Sequence, residues 1–271
     1  MKNLKKILSI LIVVMYFVPN AYCSNENKTA CGFVRVTTNM FGYNFLAKKI
    51  AQAVLRKSLN DAAKGDYKVK FDSFSGVDLK KGKFKGLTID GKNLLVDKKL
   101  SVSNLSLKTT SDFNYVDYRK NPIEFKTDLP MDFNIILTES DLNHNFNELY
   151  GINVLCSMIP LIKVEKPVIK IVDEKIKLSS SLKMPLAKKI KFSLSTGLKV
   201  DNGKIALSNV ETSGSKDFAE NLIALINEQS LLDDINLPIF DNTDTKVSIK
   251  TVAIKDNMIN ISGKLLIKKS N

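Results

Sequence analysis

The residues that could do chemistry gather at "LTESDLNHNF", positions 137–146, which holds the only histidine of the 271-residue chain. His144 could serve as the base for Ser140, or bind a metal beside Glu139 and Asp141. Neither chemistry has a frame around it. The chain contains no G-x-S-x-G elbow, no H-E-x-x-H, no glycine-rich phosphate loop and no D-x-D-x-D-G calcium loop. The same letters fit the start of a helix. Thr138 is a good N-cap, and Asp141, three residues on, can return its carboxylate to a free backbone N–H. Leu142 and Phe146 then point inward and leave His144 on a more exposed side. No catalytic residue, metal site or cofactor is expected, and with one histidine and no C-x-x-C a structural zinc site has too few ligands.

The elements that flank this cap are mostly strands. In "IEFKTDLPMDFNIIL", Ile123, Phe125, Leu129, Met131, Phe133, Ile135 and Leu137 share odd positions while the even ones are largely polar, which predicts one strand over 123–137 with a wet and an apolar face. Pro130 removes one ladder donor and predicts an edge or a bend there. Upstream, Tyr67, Val69 and Phe71 alternate with charges, "GLTIDG" and "DGKNLLVDKK" supply turn residues, and "LSVSNLSLKT" is another strand. Downstream come alternating runs over 175–184 and 189–200, the hairpin signal "DNGK" at 201–204, and two closing strands about the "DN" turn at 256–257.

Two segments have helical spacing. Over Thr38–Asp61 the apolar residues recur three and four apart, and a second helix is expected over Lys216–Leu232 with Ser215 as its N-cap. One-face-apolar antiparallel strands must cover something, and two long amphipathic helices are the natural filling. The expected fold class is α+β, a highly curved antiparallel sheet wrapped around those helices. Residues 24–271 are expected to form a single domain, since no Pro/Gly/Ser-rich linker divides them.

The first 23 residues read as a signal peptide, with Lys2, Lys5 and Lys6 ahead of a short apolar stretch and a small-x-small site ending at Cys23. A retained anchor or a lipid-modified cysteine is the alternative. The mature protein is thus expected in the periplasm or secreted. Cleavage removes three lysines and no acid, lowering the formal net charge from +13 to +10. Outside the cytoplasm such a basic surface argues against nucleic acid and for an anionic membrane surface or an acidic envelope polymer, or for no specific partner at all. Cys31 and Cys156 are open to two readings, a disulfide or two buried thiols.

"LTESDLN" after an alternating strand, preceded by "FDSFSGVDLKKGKFKGLTIDGKNLLVDKKLSVSNLSLKTTSDFNYVD", resembles the LmeA-like phospholipid-binding proteins of bacterial envelopes. The resemblance is carried by Leu137, Thr138, Glu139, Asp141, Leu142 and Asn143. It covers Tyr67 to Phe146 directly and the rest through element order. It implies a fold like that of the TULIP lipid-binding superfamily, in which a curved sheet wraps a long helix and leaves a tunnel for acyl chains. The function it implies is non-enzymatic binding of a phospholipid or other acyl lipid by a monomer, for transport or envelope maintenance. The alternative is an interaction module of the envelope without bound lipid. One chain of about 16 carbons contributes roughly 12 kcal/mol at ~0.8 kcal/mol per methylene before binding costs, so apolar lining suffices for affinity. The candidate lining residues are Phe41, Phe45, Ile50 and Val54 on the first helix and Phe125, Phe133 and Ile135 on the long strand, each of which also suits a plain core position.

Overall fold

The computed structural model describes residues 43–96, 100–117, 120, 124–149, 163–164, 167–183, 190–214 and 244–270. Phe41, Cys31, Cys156, the leader and the helix expected over 216–232 lie outside them. Helix α1 (Tyr43–Ala62) runs without a break into β1 (Ala63–Asp72). A short helix α2 (Gly76–Lys80), capped by the Ser75 hydroxyl, leads to β2 (Lys83–Phe84) and then to β3 (Gly86–Val96), β4 (Leu100–Thr109), β5 (Asn114–Asp117), β6 (Glu124–Phe125) and β7 (Leu129–Thr138). Helix α3 (Glu139–Leu149) follows, then β8 (Lys163–Val164), β9 (Val168–Val172), β10 (Lys175–Lys183), β11 (Ile190–Asp201), β12 (Lys204–Ser213), β13 (Thr245–Lys255) and β14 (Met258–Ile267).

The strands form a six-stranded antiparallel sheet in the order β1-β3-β4-β7-β14-β13, a five-stranded sheet of β12-β11-β10 with β8 and β9 both on β10, and a small sheet β2-β5-β6. The molecule is sheet-rich, and the described strands form no closed barrel. The first sheet buries Val69, Phe71, Leu87, Ile89, Met131, Phe133, Ile135, Ile261 and Leu265 from one face. Ile171 and Ile205 of the second sheet join the same core, and α1 adds Ala51 and Leu55. A sheet wrapped around two long amphipathic helices is not what these residues show. Helix α1 packs mainly against the edge strand β1 and α2, and its opposite side is open, with Phe45 67% and Leu46 56% exposed.

Three local expectations need correcting. Residues 123–137 are not one strand. Phe125 pairs with Val116 in the small sheet, and the chain bends at 126–128, where the Lys126 N–H donates to the Tyr115 carbonyl (2.9 Å) and Thr127 Oγ1 accepts the Tyr115 N–H (3.0 Å). Pro130 stands on a central strand, not an edge. Its carbonyl accepts the Thr110 N–H (2.9 Å) one rung beyond the end of β4, and a strand residue points its N–H and C=O to the same neighbour, so the missing donor falls where the ladder ends anyway. "IDGKN" is no turn but the middle of β3: a Cβ at Gly91 would come within 2.9 Å of Leu94 and 3.1 Å of Tyr67, so the glycine serves packing. The bend comes at Asn93, with φ 51°. The hairpins at 201–204 and 256–257 form as expected, with Asn202, Gly203, Asp256 and Asn257 all at positive φ.

Candidate functional site

The capping box at 138–141 forms. The Asp141 amide donates to Thr138 Oγ1 (3.3 Å), and Asp141 Oδ2 accepts from the Thr138 amide (2.9 Å) and hydroxyl (2.8 Å). The carboxylate also reaches across to β4, accepting the Ser101 hydroxyl on Oδ1 (2.5 Å) and the Ser103 hydroxyl on Oδ2. Burial pushes this carboxyl up, but the donors from Ser101, Ser103 and Thr138 together outweigh burial and hold it below the ordinary aspartate value. One turn on, Asn145 accepts the Ser101 N–H (2.5 Å) and donates to the Ser101 carbonyl (2.9 Å). This occupies β4 just past the point where its pairing with β7 stops.

The neighbouring stripe of α3 holds the other sheet. Glu139 Oε1 accepts the Ile171 N–H (2.6 Å), and Asn143 accepts the Ile169 N–H (2.8 Å) while donating to the Ile169 carbonyl (2.7 Å). Two pairs spaced i, i+4 thus bolt one helix to β4 and β9. Glu139 and Asp141 are committed to different partners and do not converge on His144. The histidine is half-buried rather than on the solvated side, and its Nε2 is buried with no partner among the described residues. The "LTESDLN" motif is a joint.

A separate cavity of about 1000 Å³ lies between α1 and the polar face of β1, β3, β4 and β7. Ala53, Arg56, Lys57 and Asn60, spaced i, i+3, i+4 and i+7, form the helix wall. The floor consists of residues that alternate with the buried ones: Asp66 and Lys68, Asp90 and Lys92, Asn104 and Ser106, Asn134 and Ile136. Ser106 donates to Asp90 (2.7 Å), while Asn134 Oδ1 is buried without a partner among the described residues. Tyr67, at the same wall, donates its hydroxyl to the Ala63 carbonyl (2.9 Å), and burial pushes its phenol up to about 12. The groove between helix and sheet is therefore mixed, with charged and amide side chains beside Leu105 and Ile136, where an apolar one was expected.

None of the six candidate lining residues that the structure describes borders this cavity, and Phe41 lies outside the described residues. Phe133 and Ile135 are 6% and 3% exposed in the main core, Phe125 packs at its margin and Val54 is half-buried. Phe45 and Ile50 stand exposed with Leu46 on α1, on the same outward side as Arg56 and Lys57 but nearer its N-terminus, and Lys49 Nζ sits 5.5 Å from the Phe45 ring centroid. Sequence reading missed the floor residues because alternation marks them only as the wet face of each strand. No signal within one strand tells which of them will share a groove.

These side chains can ion-pair and hydrogen-bond a polar group, and an exposed apolar helix surface lies beside them, an arrangement suited to an amphiphile. The comparison with known families agrees. The chain belongs to the LmeA-like phospholipid-binding family, whose model matches residues 39–264. That span takes in α1, α3 and both larger sheets. Neither the curated proteins nor the solved structures compared with the chain provide a match.

Proposed function

We propose that the protein binds a phospholipid non-covalently and without turning it over, working outside the cytoplasm as a monomer in lipid transport or envelope maintenance. Family membership supports lipid as the ligand. The observation that carries the binding mode is the outward side of α1, where Phe45, Leu46 and Ile50 are exposed at one half and Arg56 and Lys57 border the polar cavity at the other. An acyl chain and an anionic headgroup need those two surfaces side by side. The basic helix also suits an anionic membrane surface, from which the lipid would be taken.

The chain is seated against α1 around Phe45, Ile50 and Val54. Entry deeper, toward Phe125, Phe133 and Ile135, would have to displace close-packed side chains, which makes a surface groove a better reading than a ready tunnel. Native mass spectrometry of the mature chain tests this. A phospholipid-sized adduct is expected, and it should be lost in Phe45→Ser/Ile50→Ser. A protein that neither carries lipid nor moves it between vesicles would favour the envelope interaction module instead.

A further inference from the structure

We infer that the groove between α1 and the polar sheet face is a site for a hydroxyl-bearing phosphate ester. The charges are not spread evenly in it. Lys68 stands directly opposite Asp90, and Lys92 opposite Asp66, in the register of β1 with β3. Each acid therefore faces a lysine across the two strands, with no ion pair between them among the described residues. Arg56 and Lys57 stand on the helix wall, which contributes no acid to the groove, and among the described residues neither is ion-paired. The positive potential is therefore concentrated on the helix side, where a phosphate would be held by a guanidinium and an ammonium together.

The part of the floor that β4 and β7 form carries no charged side chain and offers hydrogen-bonding groups. Asn134 and Ser106 are paired in register, with Asn104 two residues along β4. Ser106 is occupied by Asp90, but the buried Asn134 Oδ1 has no donor among the described residues. An acceptor left buried in this way costs free energy that a ligand hydroxyl recovers. Phosphate at the wall and hydroxyl at the floor specify one ligand chemistry, a phosphorylated polyol, and the cavity of about 1000 Å³ is roomy enough for a lipid headgroup of that kind. The same chemistry could arrive as a free sugar phosphate. The lipid-headgroup source rests on the phospholipid reading above; the site itself does not.

The test uses the full mature chain, with sn-glycerol 3-phosphate, inorganic phosphate and glycerol as soluble probes followed by side-chain amide NMR, and vesicles with or without phosphatidylglycerol as the lipid arm. Glycerol 3-phosphate should shift the Asn134 and Asn104 amides. Arg56→Glu/Lys57→Glu should weaken its binding at least tenfold, whereas Lys70→Glu, on the same sheet face outside the groove, should leave it unchanged. Asn134→Val should abolish the preference for glycerol 3-phosphate over inorganic phosphate. Vesicle binding weakened by the same double variant identifies the lipid headgroup as the source, while soluble binding alone identifies a free phosphate ester. Shifts spread over all surface lysines, or a double variant that binds as the wild type does, would overturn the site. Lipid adducts that persist without glycerol 3-phosphate binding would sink this inference and leave the phospholipid reading standing, and the reverse result would do the opposite.

Discussion

Helix α3 and helix α1 are both rich in polar side chains, yet they use them in opposite ways. On α3, Glu139, Asp141, Asn143 and Asn145 each meet backbone or hydroxyl groups of β4 or β9. On α1, Arg56 and Lys57 face a cavity, and Phe45 and Leu46 face outward. Polar groups whose hydrogen bonds are complete hold architecture together. Groups left with capacity to spare, next to exposed apolar surface, are where a ligand can add stability. The only cluster that looked catalytic in the sequence belongs to the first kind.

Substitutions can break that contrast, and the largest effect belongs to the core that both helices border. Phe133→Asp should cost about 4 kcal/mol or more and leave little folded protein by circular dichroism, because its ring is buried against Gly263, where a Cβ would lie 2.7 Å from it. Asp141→Ala should cost about 3 kcal/mol in urea unfolding, since it strands the Ser101 and Ser103 hydroxyls and the Thr138 N–H together. The carboxyl's folded pKa lies below its unfolded value, so its contribution is complete above the ordinary aspartate range and is lost as pH falls through the lowered one. Acidification should therefore shrink the stability gap between wild type and Asp141→Asn. Thr138→Ala, which removes only the cap, should cost about 1 kcal/mol. Phe45→Ser and Ile50→Ser should sit at the other end, within about 0.5 kcal/mol of wild type in stability while lipid retention falls. If these two destabilise as strongly as Asp141→Ala, the contrast between the helices is wrong.

Much of this was legible in the sequence, because it depends on neighbours along the chain. The capping box needs only Thr138 and Asp141, and the 201–204 hairpin only Asn202 and Gly203 taking positive φ. The family showed through "LTESDLN". What stayed hidden depends on tertiary context. Odd positions alternate smoothly from 123 to 137, yet Thr127 and Asp128 are held by Tyr115 and Lys269, residues 12 and 141 positions away, and these turn the chain into a second sheet. Gly91 looks like a turn glycine until Tyr67 and Leu94 are placed against it. Helical spacing told that α1 is amphipathic, but not that Phe45 and Ile50 fall outside its buried side, nor that its wet side meets the wet side of the sheet.

The joint at α3 has one more consequence, for the company the protein keeps with copies of itself. β9 borders its sheet, and its row of free N–H and C=O groups would template a strand from another chain, most of all with Val168 and Val172 exposed beside it. Glu139 and Asn143 take the Ile169 N–H and C=O and the Ile171 N–H from within the same molecule, which leaves an incoming strand less of that row to pair with. A Glu139→Ala/Asn143→Ala protein should self-associate more strongly with concentration than the wild type in analytical ultracentrifugation, joined edge to edge through β9.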